Sequence, residues 1–365
     1  MGKKQILRQR LILGLLLIMG AALFTWAQDF LTNTAEGAVA YSPFAYYELP
    51  VEEERSHEFH PSDLVTPAPS NERVPLIRLE DIIFTPPTPP LENAPVPPLS
   101  LSSNLIQNLM SFDYLTNNIF LVDRYTALFP SDIDTEEFLQ RDLRIDTSVP
   151  GPQVLIFHTH SLERFIDSNP LDPMDGVFGL GRALSEYLAN NYGIESIHHM
   201  GQFDVVDGRP QRQGAYERME PVIMQVLEDN PSVQVVIDIH RDGVRQGAGP
   251  FITYVDGQRT ARIMFFNGLS RQNRNGQITA VPWLPNPYLR DNLNLSFQLQ
   301  LASNYLYPGF ARRVYLREFR YSLHMTPKSI FVEVGNQYNT KDEALRAMEP
   351  LADIIAAVIL GGPPV

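Results

Sequence analysis

The stretch VQVVIDIHRDG at residues 233–243 decides the fold class. Its apolar, β-branched run is typical of a strand buried on both faces, and such strands occur in sheets covered by helices on each side. The polar residues His240-Arg241-Asp242 follow directly where the strand ends. Ligand sites in open α/β sheets form at the carboxyl ends of the strands. This stretch therefore predicts both a central strand and the place of a functional site.

The surrounding chain alternates between strand and helix patterns. Further strands are predicted at 154–157, 194–197, 262–266 and 329–334, and helices at 177–192, 215–227, 294–305 and 341–360. Strands that alternate with amphipathic helices indicate an α/β layered domain with a largely parallel or mixed central sheet flanked by helices.

The N-terminus predicts attachment to a membrane. The segment Leu11–Gln28 contains no charge, and as a helix its eighteen residues would span roughly 27 Å. Four cations precede it, which places the N-terminus in the cytoplasm and the rest of the chain outside. A cleaved signal peptide ending at Thr25-Trp26-Ala27 is the alternative, and it also exports the chain.

The next segment has the composition of a spacer. Eleven of the thirty prolines lie between residues 61 and 98, which favours an extended linker, although Leu76–Phe84 is apolar enough for a docking strand or short helix. We therefore divide the chain into an anchor (1–28), a linker (29–100), a helical lead-in (101–149) and a catalytic domain (150–365).

Charge and cysteine content exclude several functions. The net charge of −13 argues against nucleic-acid binding, and residues 29–149 alone carry −14. The chain has no cysteine, which excludes disulfides, thiolate zinc sites and cysteine nucleophiles. Any metal ligands must be His, Asp or Glu.

Three strand ends carry such residues. HTHSLE at 158–163 follows the strand VLIF, His240 follows the strand quoted first, and Glu333 lies within the apolar strand SIFVEV. Two imidazoles and one carboxylate form the ligand set of a hydrolytic zinc centre, and a nearby carboxylate such as Glu333 can act as general base. Asp238 shares a strand face with His240 and can orient its imidazole. The alternative is that each histidine is structural and Glu333 pairs with an arginine.

The chain resembles the stage II sporulation protein P family of membrane-anchored peptidoglycan hydrolases. The matching stretches are PQVLIFHTHSLERF, YGIESIHH, AYERMEPVIMQVLEDNPSVQVVIDIHRDG, YPGFARRV and PKSIFVEVGNQYNTKDEALRAMEPLADIIA. The last stretch is also similar to the closing strand and helix of zinc-dependent N-acetylmuramoyl-L-alanine amidases, whose catalytic glutamate falls on Glu333. The resemblance implies a zinc amidase, with endopeptidase activity as well, that acts on septal peptidoglycan during engulfment.

The resemblance also implies roles for individual residues. The zinc ligands would be His160, Glu163 and His240, with His158 as an alternate ligand or a residue that supports one. The stem peptide of such a substrate is anionic, and Arg218, Arg241 and Arg320 are the arginines expected to bind it.

The implied partners are peptidoglycan, the membrane through residues 11–28, and other engulfment proteins including the lytic transglycosylase stage II sporulation protein D. The chain departs from the family pattern at Ser322-Leu323 and at Asn336-Gln337, which affects substrate detail but leaves every candidate ligand in place. Two other functions fit the residues: a zinc peptidase or deacetylase on the same scaffold, and a wall-binding scaffold protein with a degenerate metal site.

Overall fold

A computed structural model of the chain describes residues 83–85 and 99–362. The predicted anchor at Leu11–Gln28 and most of the Pro-rich linker lie outside these ranges. None of the helices in the described ranges combines the length and the apolar character needed to cross a bilayer.

The described chain contains helices on both faces of one large sheet, together with three small hairpins. The helices are α1 (Ser103–Leu109), α2 (Phe112–Asn118), α3 (Thr135–Gln140), α4 (Val177–Tyr192), α5 (Ala215–Asp229), α6 (Leu289–Leu306), α7 (Lys341–Arg346) and α8 (Met348–Ile359). The strands are β1 (Ile83–Thr85), β2 (Phe120–Val122), β3 (Val154–Phe157), β4 (Ser196–His198), β5 (Val205–Val206), β6 (Arg209–Pro210), β7 (Val235–Asp242), β8 (Ile252–Val255), β9 (Gln258–Ala261), β10 (Ile263–Gly268), β11 (Arg271–Arg274), β12 (Gln277–Ala280), β13 (Ala311–Arg317) and β14 (Ser329–Asn336).

The main sheet has eight strands in the order β1-β4-β3-β7-β14-β10-β13-β2. Only β1 with β4 and β10 with β14 pair antiparallel, and the other neighbours are parallel. This confirms the predicted α/β class with a mostly parallel, mixed sheet. The strands β5–β6, β8–β9 and β11–β12 form separate two-stranded hairpins.

Side-chain alternation along the central strands divides the core into two layers. Ile237 and Ile239 of β7 pack in a large apolar cluster with Leu184 of α4 and Ile355 of α8. Val236, one position out of phase, packs in a second cluster with residues of α5. Because successive strand residues point to opposite faces, α4, α6 and α8 cover one face of the sheet and α5 covers part of the other.

Helix ends follow the local sequence. Helix α4 ends as predicted at Gly193, whose φ of 65° is a left-handed conformation that glycine adopts without strain. The predicted single helix over 341–360 is instead two helices that meet at Ala347. Pro350 explains the break, because it has no N–H to donate to the carbonyl of Arg346 and its ring crowds that carbonyl.

Three strands extend the sheet beyond those that the strand pattern predicts. One of them, β2 (Phe120–Val122), lies in the lead-in that was expected to be helical. Strand β13 (Ala311–Arg317) pairs with β10 and β2 and was not predicted. At the opposite edge, Ile83–Thr85 of the linker pairs antiparallel with β4, so these residues form a docking strand. The predicted helix over 294–305 begins earlier, at Leu289.

Candidate active site

The carboxyl ends of β3, β7 and β14 meet at one edge of the sheet. Phe157 pairs with Asp238 across β3 and β7, and Glu333 pairs with His240 across β7 and β14. The segment 158–163 leaves β3 directly at this edge. All three polar stretches singled out in the sequence therefore lie side by side.

His160, Glu163 and His240 come together at this edge, and each is almost fully buried. The ring centroids of His160 and His240 are 5.4 Å apart, and Nδ1 of His240 lies 3.3 Å from Oε2 of Glu163. Nδ1 of His160 is buried and has no hydrogen-bond partner among the described residues. The three predicted ligands thus form one polar group with an unsatisfied imidazole nitrogen.

His158 lies apart from this group. Strand β3 ends at Phe157, so the strand alternation that would place His158 and His160 on one face does not continue. Nδ1 of His158 lies 3.0 Å from the carbonyl oxygen of Ile239, and its Nε2 lies 2.9 Å from Nε2 of His198. Burial lowers the pKa of His158 to about 4, which keeps the imidazole neutral.

Protein donors hold Glu163 from several sides. Its Oε2 accepts the backbone N–H of Arg241 at 2.9 Å, and its Oε1 accepts Nη1 of Arg212 at 3.0 Å. Burial opposes ionisation, but the positive charges of His240 and Arg212 hold the pKa of Glu163 well below its ordinary value. The carboxylate is therefore charged and fixed in orientation.

Asp238 and Glu163 flank the imidazole of His240. Nε2 of His240 lies 2.8 Å from Oδ1 of Asp238, an ion-pair contact whose angle falls short of a hydrogen bond. Asp238 also accepts the backbone N–H and the hydroxyl of Thr159, at 3.0 and 2.7 Å. Burial alone would lower the pKa of His240, but the two carboxylates outweigh it and raise the pKa to about 10. The orienting contact expected from Asp238 is present.

Asp204 fixes the turn that carries His160 and Glu163, and the sequence reading missed it. Its carboxylate accepts the backbone N–H groups of Ser161 and Leu162, both at 3.1 Å. Burial raises the pKa of Asp204, against the lowering effect of its hydrogen bond from Ser161. No periodic pattern links a residue on a distant loop to this turn, so the sequence carried no signal for it.

Glu333 lies on the same face of the sheet as His240, its register partner. Its Oε2 is buried and accepts no hydrogen bond within the described part of the chain. Burial and then the negative charge of Asp242 raise the pKa of Glu333 to about 8. A carboxyl group with such a pKa can accept and release a proton near neutral pH.

The three arginines expected to bind substrate have partners within the protein. Arg218 donates to the backbone carbonyls of Phe203, Gln211 and Gln213 at 2.6 to 2.8 Å. Arg241 donates through Nε to the carbonyl of Arg164 at 3.0 Å, and Arg320 pairs with Glu220 at 2.7 Å. These contacts hold loops around the site, and substrate binding by these arginines stays a prediction.

Aromatic rings form one wall beside the histidines. The ring of Phe331 stacks on His240 with centroids 4.2 Å apart and planes 3° from parallel. Tyr216 of α5 meets His160 edge-on at 5.5 Å and also meets Tyr321 at 5.7 Å. This wall limits how the two imidazoles can rotate.

The four positions that depart from the family pattern lie in two places. Ser322 and Leu323 are buried, and the carbonyl of Leu323 accepts the side-chain amide of Asn292. Asn336 and Gln337 donate to the backbone of the loop that follows β7. None of the four replaces a residue of the His160, Glu163 and His240 group.

The residue types of this group are those that bind a hydrolytic zinc ion. The distances between their side chains in the structure fit such an ion less well. Two imidazoles and a carboxylate are present, and one buried ring nitrogen has no partner. Within the described ranges, however, no set of three or more His, Asp or Glu side chains is arranged closely enough to qualify as a metal site.

The fold and the site define an α/β protein with a buried, charged group of histidines and carboxylates at the carboxyl edge of its sheet. A family model described as Stage II sporulation protein P (SpoIIP) matches residues 125–356, more than half of the chain. The chain belongs to this family.

The chain is also similar to individual proteins. The Stage II sporulation protein P of Bacillus subtilis (strain 168) is 21% identical over 232 residues, which cover 60% of this chain and 53% of that protein, so the match spans about half the relative's length. The solved structure of N-acetylmuramoyl-L-alanine amidase AmiC2 of Nostoc punctiforme is 17% identical with a TM-score of 0.32, covering 57% of this chain and 94% of that one. The CwlD amidase from Clostridioides difficile, solved with the GerS lipoprotein, is 15% identical with a TM-score of 0.34, covering 57% and 95%.

We predict that Gly181→Ala destabilises the protein by about 1–3 kcal/mol, because overpacking a filled interior forces displacement. A Cβ at position 181 would lie 2.4 Å from Nε2 of His198 and 2.6 Å from Nε2 of His158. Urea unfolding of the full chain measures the change. Gly249→Ala is the matched control, because no atom lies within 4 Å of its added Cβ. Equal stability of the two variants would contradict close packing around the His158–His198 pair.

Proposed function

We propose that the protein is a zinc-dependent peptidoglycan hydrolase that cuts the amide bond between N-acetylmuramic acid and L-alanine, and that it acts on the septal wall during engulfment in sporulation. The observation that carries the proposal is the meeting of His160, Glu163, His240 and Glu333 at one edge of the sheet. Membership of the SpoIIP family supports the cell-wall substrate.

His160, Glu163 and His240 would hold the zinc ion. Such an ion, when bound, polarises the scissile carbonyl and lowers the pKa of a water molecule. Neighbouring residues of the protein fix the orientation of these ligand side chains. Arg212 and the N–H of Arg241 orient Glu163. Asp238 and the ring of Phe331 restrain His240.

Glu333 would move the proton. Its Oε2 is the atom without a hydrogen-bond partner among the described residues, and its raised pKa suits both proton uptake and release. We assign to Oε2 the uptake of the proton from the attacking water and its delivery to the amide nitrogen that leaves. His158 would support the site indirectly, because its imidazole contacts the carbonyl oxygen of Ile239, the residue before His240.

The setting follows from the sequence. We propose that residues 11–28 anchor the protein in the cell membrane, with the catalytic domain on the outer side and the linker as spacer. We also propose that the protein has endopeptidase activity. It would act together with a lytic transglycosylase of the stage II sporulation protein D type.

The first test identifies the bond that is cut. Purified full-length protein with zinc should release stem peptides from peptidoglycan and leave lactyl-ended glycan, as measured by mass spectrometry of the soluble products. A chelator should abolish the release, and added zinc should restore it. Products cut only within the peptide would favour a peptidase instead. No products, with retained wall binding, would favour a non-catalytic scaffold.

The second test concerns the ligands. We expect His160→Ala, Glu163→Ala and His240→Ala each to lose most of the bound zinc, because three protein ligands hold a catalytic ion and none is redundant. His158→Ala should lose much less, because its imidazole contacts Ile239 and His198 instead. Zinc content by atomic absorption on folded protein decides. Full occupancy in His240→Ala would refute the assignment.

The third test separates catalysis from metal binding. Glu333→Gln should keep its zinc and its melting temperature but lose turnover on the order of 100-fold or more, because an amide cannot take up the proton. Glu349→Gln makes the same chemical change at an exposed position on α8 and should keep normal turnover. If Glu333 were only a structural partner of an arginine, the Gln variant would melt earlier and retain near-normal specific activity.

A further inference from the structure

The loop between β7 and β8 is held by three side-chain amides from the end of β14. Asn339 accepts the N–H of Phe251 and donates to its carbonyl oxygen, both at 3.1 Å. Asn336 donates to the carbonyl of Gly249 at 3.0 Å, and Gln337 makes the same two-way contact with Val244. The side-chain amides form the hydrogen bonds that a neighbouring strand would otherwise make with the backbone of this loop. They therefore fix the course of this glycine-rich loop beside the site.

Phe251 at the end of this loop serves as a platform for Arg312. The guanidinium carbon of Arg312 lies 4.0 Å from the centre of the Phe251 ring, a cation–π contact. Nη2 of Arg312 also lies 2.5 Å from Oδ2 of Asp242. Arg312 is therefore held in place by a ring on one side and a carboxylate on the other.

Arg262 lies next to Arg312. Its backbone N–H donates to the carbonyl of Phe251 at 2.9 Å, and its guanidinium makes one long hydrogen bond, 3.5 Å, to the carbonyl of Ala311. Burial and then the charge of Arg312 lower the pKa of Arg262. The Nε atoms of both arginines are buried and have no hydrogen-bond partner in the described ranges. Two cations thus lie side by side with donors unsatisfied.

This arginine pair lies close to Glu333. Met264 of β10 pairs with Glu333 on one side and with Arg312 on the other, so Glu333 and Arg312 point to the same face of the sheet, one strand apart. Arg262 precedes Met264 by two residues, and side chains two residues apart along an extended chain point to the same face, so Arg262 also lies on the face of Glu333. Asp242 pairs with the guanidinium of Arg312, whereas the guanidinium of Arg262 has no carboxylate partner among the described residues, so the charge of Arg262 is left uncompensated.

We propose that Arg262 and Arg312 bind a carboxylate of the substrate's peptide, next to the bond that is cut. A carboxylate would satisfy the donors left over and compensate the excess charge, and guanidinium groups hold carboxylates in a defined plane. The inference rests on the proposed function for the identity of the substrate. Arg262 and Arg312 suit this role because their Nε–H donors have no hydrogen-bond partner among the described residues. Arg218, in contrast, already donates to three backbone carbonyls.

The test compares one ligand with and without carboxylates. N-acetylmuramoyl-L-alanyl-D-isoglutamate and its fully amidated analogue are titrated into full-length, zinc-loaded protein that carries Glu333→Gln, so that neither is consumed, and binding is followed by calorimetry. We expect the carboxylate form to bind at least tenfold more tightly. Arg262→Gln should remove this preference by weakening only the carboxylate form, and Arg262→Lys should restore part of it.

Arg182→Gln is the matched control, because Arg182 is an exposed arginine on α4, the layer on the opposite face of the sheet. It should leave both affinities unchanged. Equal affinity of the parent protein for the two ligands, or equal weakening of both by Arg262→Gln, would overturn the proposal. Because binding needs no turnover, a carboxylate preference in a protein that cuts no wall would reject the proposed activity and keep the arginine site.

Discussion

Strands β7 and β14 pair in parallel with His240 opposite Glu333, and this register sets these two side chains next to each other in the site. A shift of one of these strands by one residue would turn its side chain to the opposite face of the sheet and separate His240 from Glu333. Burial prevents the shift, because Ile237, Ile239 and Val332 fill the core on the other face. The apolar pattern of the two strands therefore sets the distance between the candidate ligand and the candidate base.

The polar group must also offset the cost of burying charge. A carboxylate such as Glu163 is strongly destabilising inside a protein unless hydrogen bonds and opposite charges surround it. Glu163 receives a guanidinium from the loop that carries Arg212, and a backbone N–H and an imidazole from the end of β7. These partners fix the direction of the carboxylate before any ligand binds.

The sequence predicts those parts of the fold that repeat with a period. Helix α4 and the three central strands could be located because their apolar residues recur at helical or strand spacing. Strand β13 could not, because ARRVYLR mixes three arginines with its apolar positions. At the site, His160, Glu163 and His240 could be grouped because they lie at or directly after the carboxyl ends of predicted strands. Asp204 and Arg212 act from loops 43 and 49 residues away from their partners, where no pattern exists.

Residue type alone does not reveal which arginines can bind a ligand. A guanidinium that donates to backbone carbonyls, as Arg218 does, stabilises a loop and has few donors left for a substrate. The side-chain amides at Asn336 and Gln337 illustrate the same point. They bond backbone groups at Val244 and Gly249 that have no strand neighbour. These two amides therefore act on the course of the loop beside Glu333 and not on the candidate ligand group.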